Sequence, residues 1–297
     1  MVRPSEDASE GAFDKACERA AVEDVPGERF RKNDVEMLWP EWPSALTRRL
    51  PPLTDKAVQV FAVPFYIPSG CLDRVAVLLD ACERERAGRF HFARDRRRYI
   101  ACRATLRTIL GAYTGLSPSE IAFEYSGNGK PRLSLKGCVG LQFNVTHSAE
   151  LALIALTRGF AVGVDVERVH SISDSAELVA RFFSPAENAA FQRLRFELRP
   201  EAFFNLWTRK EAWLKAAGEG IGHLLNRVEV RFLPGEPAGL VSLPEGWGPV
   251  SRWTLSGLAP AAGYAGALAI EATDVEVQCW AWPSFGSSPD RRGFNRQ

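Results

Sequence analysis

Apolar positions along the chain change period several times, and each change marks an element. Residues 58–66 are dense in Val, Phe and Ala and read as a strand. Residues 72–84 fit a helix. Residues 95–112 fit a longer one, with Tyr99, Cys102, Leu106 and Leu110 on one stripe. Short apolar runs predict strands at 121–125, 141–146 and 151–156, and Ser126-Gly127-Asn128-Gly129 is a turn signal before Lys130-Pro131. The theme then recurs. A strand at 160–167 precedes helices near 176–183, 184–194 and 200–217, and strands follow at 228–232, 263–272 and 275–282. The pattern is mixed α and β, an α+β fold class in expectation, with two halves of comparable size that each combine a small sheet with helices.

The ends of the chain lack such a period. Val25-Pro26-Gly27, Trp39-Pro40-Glu41-Trp42-Pro43 and Pro51-Pro52 punctuate the first stretch. Residues 1–57 therefore read as an extension, with a short helix near 13–22 and tryptophans that pack on the main body. The expected organisation continues with a first subdomain over 58–159, a second over 160–283, and a frayed Gly/Ser/Arg-rich tail over 284–297. A length of 297 residues suits two units.

Composition narrows the function classes. An apolar share of 46% with 25% charged residues is that of a soluble globular protein. Thirty-seven basic against 36 acidic side chains leave a net charge of +1, which argues against a nucleic-acid partner gripped by bulk charge. No apolar leader is visible, and the longest aliphatic run, 151–156, is far too short to span a bilayer, so a cytoplasmic location and no membrane partner are expected. The six cysteines (Cys17, Cys71, Cys82, Cys102, Cys138 and Cys279) are scattered, with no Cys-x-x-Cys pair and no His at ligand spacing. Neither a disulfide framework nor a zinc site is predicted, and any metal would be held by oxygen.

Gly163-Val164-Asp165-Val166-Glu167 carries the sharpest chemical signal. On a strand, Val162, Val164 and Val166 face one way and Gly163, Asp165 and Glu167 the other. The two carboxylates then stand roughly 6.5–7 Å apart at Cα and repel one another unless a cation or proton lies between them. An oxygen pair of this kind suits Mg²⁺. Taken alone, Asp-x-Glu also describes an ordinary solvated strand face.

A second signal is Trp207-Thr208-Arg209-Lys210-Glu211-Ala212-Trp213-Leu214-Lys215, on a helix that Pro200 starts and Gly218 stops. Phe203, Trp207, Leu214 and Ala217 form its apolar stripe, and Thr208, Glu211 and Lys215 a polar one beside it. Lys210 falls inside the apolar stripe and needs an anionic partner. Glu211 and Lys215 alone are also explained by an i, i+4 surface ion pair. Arginines Arg84, Arg86, Arg89, Arg94, Arg96, Arg97, Arg98, Arg103 and Arg107 crowd one region, where a subset suits phosphate oxygens. Asn144-Val145-Thr146-His147-Ser148 closes a strand with hydrogen-bonding side chains, but neither that spacing nor any G-x-S-x-G elbow supports a serine-hydrolase triad.

In this order, Gly129-Lys130-Pro131, Asn144–Ser148, Gly163–Glu167, Arg181-Phe182-Phe183-Ser184 and Trp207–Lys215 resemble the 4′-phosphopantetheinyl transferases of the surfactin-activating, two-subdomain type. The likeness runs from about residue 58 to 282. It implies two similar halves related by a pseudo-twofold axis, with coenzyme A and Mg²⁺ (Mn²⁺ as a substitute) in the cleft between them. The implied reaction moves the phosphopantetheine arm of coenzyme A onto a serine of an apo acyl or peptidyl carrier protein and releases 3′,5′-ADP. By resemblance, Asp165, Glu167 and Glu211 are the metal ligands, and Arg86, Arg98, Lys130, Thr146, His147, Asp165, Lys210 and Lys215 contact the cofactor. Glu211 and Lys215 are the catalytic pair, with Glu211 taking the serine proton directly or through water and Lys215 facing the departing phosphate. A monomer is expected. Another Mg²⁺-dependent phosphotransferase, or a non-catalytic module binding coenzyme A or a carrier protein, are the competing readings. The first leaves Lys210 and Lys215 unexplained, and the second is disfavoured by the presence of all three carboxylates.

Overall fold

The computed structural model describes residues 50–67, 70–127, 129–134, 140–219 and 224–283. The expected helix near 13–22, the packing of Trp39 and Trp42, and the tail over 284–297 lie outside the described residues.

Strand β1 (Ala57–Pro64) opens the fold, followed by helices α1 (Leu72–Ala76), α2 (Ala81–Arg89) and α3 (Ala93–Thr114). The single helix predicted over 72–84 is thus two. The first stops at Ala76, and Asp80 starts the second with a reciprocal capping box: its Oδ1 accepts from Glu83 N at 2.8 Å, and Glu83 Oε2 accepts from Asp80 N at 3.2 Å. Helix α3 ends at Gly115, whose φ of 77° is the left-handed conformation that glycine takes without strain. Short strands β2 (Phe123–Tyr125) and β3 (Pro131–Leu133) form a hairpin, and β4 (Leu141–Ser148) and β5 (Leu151–Arg158) a longer one.

The second half begins with β6 (Val162–Arg168), then α4 (Ser175–Phe182), α5 (Pro185–Gln192) and α6 (Arg199–Ala217). Helix α6 stops at Gly218, again left-handed with φ 79°. Strands β7 (Glu229–Arg231), β8 (Gly239–Ser242), β9 (Thr254–Leu258), β10 (Tyr264–Ile270) and β11 (Glu276–Ala281) complete the chain. Strands β3, β8 and β9 have no counterpart among the predicted strands. They are short and half-buried, so no clear alternation announces them.

The sheets are ordered β11-β1-β5-β4 and β6-β10-β9. Strand β11 leaves the second half and pairs in parallel with β1, Ala57 opposite Glu276 through Ala62 opposite Ala281. The segment 160–283 therefore lends its last strand to the first sheet. Trp282 secures the return: its N–H donates to Ala62 O at 2.7 Å, and its ring packs edge-on against Phe61.

Strand alternation sorts the core into layers. Phe61, Val63, Ala152, Ile154 and Leu156 face α3, whose Ile100, Leu106, Ile109 and Leu110 are buried against them. Val58, Val60, Leu153 and Ala155 face the other way and meet Val162, Val164, Val166, Leu268 and Ile270 of the second sheet. Ala265, Ala267 and Ala269 then face α6. The order is helix, sheet, sheet, helix, and the period of two in each strand is its cause.

Candidate active site

The valines of β6 point into the layer between the sheets, so Gly163, Asp165 and Glu167 point toward α6, as the alternation predicts. Gly163 lets the helix come close. A Cβ there would lie 2.1 Å from Ala212 O and 2.4 Å from Ala216 N. That approach brings Lys215 onto Asp165. Lys215 Nζ lies 2.6 Å from Asp165 Oδ1 and 3.2 Å from Thr146 Oγ1.

Asp165 is 3% exposed and Glu211 also 3%, so the two carboxylates are inside the protein rather than on a solvated face. Burial works against the charge on Lys215. The carboxylates of Asp165, Glu211 and Glu167 outweigh it and hold the ammonium above the ordinary lysine range. The Glu211/Lys215 pair is therefore part of an interior charge cluster and not a surface ion pair.

Strand β4 supplies the second wall. It belongs to the other sheet, yet its alternate residues reach β6 through side chains. Asn144 Oδ1 accepts from Val164 N at 2.8 Å, Thr146 Oγ1 donates to Asp165 Oδ1 at 3.0 Å, and Ser148 Oγ donates to Glu167 Oε2 at 2.6 Å. Asn144, Thr146 and Ser148 thus join the two sheets along the line of the carboxylates. Sequence reasoning assigned Thr146 to the cofactor and gave Asn144 and Ser148 no role. The period of two in Asn-x-Thr-x-Ser, matching that of Asp-x-Glu, was the available signal.

The remaining predicted residues fall in three places. Lys130, from the turn before β3, donates to Val162 O at 3.1 Å and Lys215 O at 2.5 Å, so it braces the start of β6 and the last turn of α6. Its burial, with repulsion from Arg132, lowers its pKa to about 8. His147 alternates away from Thr146, is exposed, and lies edge-on to Phe65 at 6.1 Å. Arg98 pairs with Glu150 and with Asp95 at 3.4 Å, at the β4–β5 end of the site.

Arg86 lies in a groove lined also by Arg89, Phe90, Tyr99 and Tyr125, and no residue of β6 or α6 lines it. The basic cluster is less available than its count suggests. Arg107 is fully buried, donating to Glu83 Oε2 at 2.5 Å, Pro118 O at 2.9 Å and Ile121 O at 2.7 Å, and Arg103 shares Glu83.

Lys210 requires a correction. It does not reach toward the site. It is fully buried on another face of α6, with Nζ 2.5 Å from Glu187 Oε2 and 2.6 Å from Leu225 O. Glu187 also accepts from Val230 N at 3.0 Å and from Ser184 N at 3.0 Å. The anion that the apolar stripe demanded is therefore internal, and the cofactor-binding assignment of Lys210 falls. Burial lowers its pKa, and Glu187 opposes that shift.

Among the described residues, no three Asp, Glu, His or Cys side chains converge as a ready metal cage. The donor chemistry nonetheless suits a hard cation. The Oδ2 atom of Asp165 is buried with no hydrogen-bond partner, and the Lys215 ammonium interacts with the carboxylates of Asp165, Glu211 and Glu167.

Carboxylates and a lysine gathered on a strand and helix clamped together define a candidate site. Comparison with known proteins specifies the family. Residues 161–267 match the model of the 4′-phosphopantetheinyl transferase superfamily, and residues 69–158 match that of the 4′-phosphopantetheinyl transferase N-terminal region. The 4′-phosphopantetheinyl transferase HetI of Nostoc sp. is 36% identical over 229 residues, 77% of this chain and 93% of that protein. A 4′-phosphopantetheinyl transferase of Bacillus subtilis is 28% identical over 183 residues, 62% of this chain and 79% of its own. A solved apo-ACPS structure from Chronobacterium ammoiniagenes covers 37% of this chain and 94% of its own at 24% identity; its TM-score of 0.28 is too low to bear on the fold. The chain belongs to the 4′-phosphopantetheinyl transferase superfamily.

Proposed function

We propose that the protein transfers the phosphopantetheine arm of coenzyme A to a serine hydroxyl of an apo acyl or peptidyl carrier protein, with Mg²⁺ as the metal. Membership of the transferase family supports the reaction, and the Asp165–Lys215 contact across β6 and α6 is the observation that supports siting it there. The serine oxygen forms a bond to the pantetheine-side phosphorus of the pyrophosphate. The bond from that phosphorus to the bridging oxygen breaks, and 3′,5′-ADP leaves.

Asp165, Glu167 and Glu211 would hold the metal, which when bound neutralises charge on the pyrophosphate oxygens. Glu211 accepts the serine proton. Lys215 stays protonated under its carboxylates, so its task is to stabilise negative charge on the departing phosphate rather than to give up a proton. Exposed His147, and Lys130 with an N–H left after its two carbonyl contacts, are read as contacts for the adenosine-phosphate end. The two halves, one helix packed on each sheet, are read as pseudo-twofold mates with the cofactor in the cleft between them. No helix among the described residues is long and apolar enough to cross a membrane. A cytoplasmic monomer acting on acidic helical carriers is the working picture.

The test is direct. The protein is incubated with coenzyme A, Mg²⁺ and a panel of apo carrier proteins, and the products are weighed by intact-mass spectrometry. A phosphopantetheinyl mass gain on a carrier is expected. No gain on any carrier, while coenzyme A binds, rejects the reading.

A further inference from the structure

Strand β4 presents two hydroxyls two residues apart, and β6 two carboxylates two residues apart. The strands run alongside in the same sense, so the hydroxyls and carboxylates meet in register. Thr146 donates to Asp165, and Ser148 donates to Glu167 at 2.6 Å. The Ser148 hydroxyl also accepts the Arg168 N–H at 3.1 Å. A hydroxyl has one proton, and with a lone pair engaged by Arg168 that proton is directed at the carboxylate. Ser148 is half-buried and the Glu167 side chain is long, with three torsions to restrain. This donor takes up part of the entropic cost of ordering those torsions before a metal binds.

We infer that Ser148 is a positioning residue that fixes the Glu167 carboxylate for the metal, the counterpart of Thr146 at Asp165. This rests on the reading of Glu167 as a metal ligand. A hydrogen-bonded partner behind a ligand commonly contributes about 10–100-fold in metal affinity. The pattern also explains why the strand carries Ser at 148. A residue at that position lacking a hydroxyl would leave both Arg168 N–H and Glu167 without this bond.

The probe is Mn²⁺, with free Mn²⁺ followed by electron paramagnetic resonance in the full-length protein saturated with coenzyme A. Ser148→Ala should weaken Mn²⁺ binding by about 10-fold or more. The metal-free melting temperature should stay close to wild type. Ser148→Thr, which keeps the hydroxyl, should restore most of the affinity. Glu167→Gln is measured in parallel. If Glu167→Gln leaves Mn²⁺ binding unchanged, the ligand reading itself fails. If Glu167→Gln weakens binding while Ser148→Ala does not, the ligand stands and the inference about Ser148 is overturned. A Thr variant as weak as Ala also overturns it, as does an Ala variant that lowers only the melting temperature. Should Ser148→Ala not fold, Ser148→Cys carries the same comparison, since a thiol is a much weaker donor.

Discussion

Replacing Gly163 by alanine tests whether the β6–α6 contact builds the site. The added Cβ would meet Ala212 O at 2.1 Å, Ala216 N at 2.4 Å and Lys215 C at 2.9 Å. All three are helix backbone, so no flexible side chain can swing aside. Ordinary contact begins at 3.4 Å, so strand and helix must separate by about 1.3 Å at this point. The other small residues facing α6 from the sheet, Ala265, Ala267 and Ala269, show that the whole interface is set for close approach. Overpacking of a well-filled interior costs roughly 1–3 kcal/mol, and an unyielding backbone places this case at the upper end.

For a chain of this size, about 3 kcal/mol lowers the melting temperature by roughly 6–12 °C. The chemistry suffers independently. The Lys215–Asp165 contact of 2.6 Å straddles the same interface, and a displacement of about 1 Å at a reacting centre costs on the order of 100-fold in rate. Differential scanning fluorimetry and the intact-mass transfer assay read the two effects. Gly88, in the last turn of α2 with nothing within 4 Å of a Cβ, is the control. Gly88→Ala should raise stability by about 0.5–1 kcal/mol. A Gly163→Ala protein with wild-type melting temperature and rate would refute the argument that this glycine sets the helix distance.

Three further outcomes are expected. Glu211→Gln should abolish transfer while coenzyme A binding, followed by calorimetry, remains; an undiminished rate would remove Glu211 from its role as base and ligand. Lys210→Met should cost about 3–5 kcal/mol in urea unfolding because it strands the buried Glu187 carboxylate, and Lys210→Met with Glu187→Leu should recover much of that loss; equal stability of wild type and the single variant would contradict the pairing. Lys130 binds its proton less tightly when folded, at about 8 against 10.5 for the free side chain. Between those values the unfolded chain holds more protons, so the Lys130 contribution to stability rises with pH. The unfolding free energy of wild type minus that of Lys130→Met, measured from pH 7 to 10, should therefore increase, and a flat or falling difference would exclude the shift.

The legible part of the site followed from local geometry. The alternation of Val and acid in 162–167 placed both carboxylates toward one side, and the structure keeps them there. The helix over 200–217 was readable to within a residue because Pro200 and Gly218 act on backbone torsions that need no tertiary partner. The same local logic identified Lys210 as a lysine in need of an anion but could not say which. Glu187 is 23 residues away on another helix, and only packing brings the two together. Asp80 shows the opposite case. Its capping box with Glu83 is entirely local, yet a continuous helical period over 72–84 concealed it.

The chain by itself determined most of the longer strands and helices, the face that β6 turns to α6, and the family-specific residues on β6 and α6, because torsional preference and periodicity act over a few residues. Only the tertiary structure decided that β11 crosses back to β1, that Asn144, Thr146 and Ser148 stitch β4 to β6, and that Lys130 braces Val162 and Lys215. Those contacts join residues far apart in sequence through single hydrogen bonds or one strand pairing. Their geometry is fixed by how the two sheets pack, which is a property of the whole core.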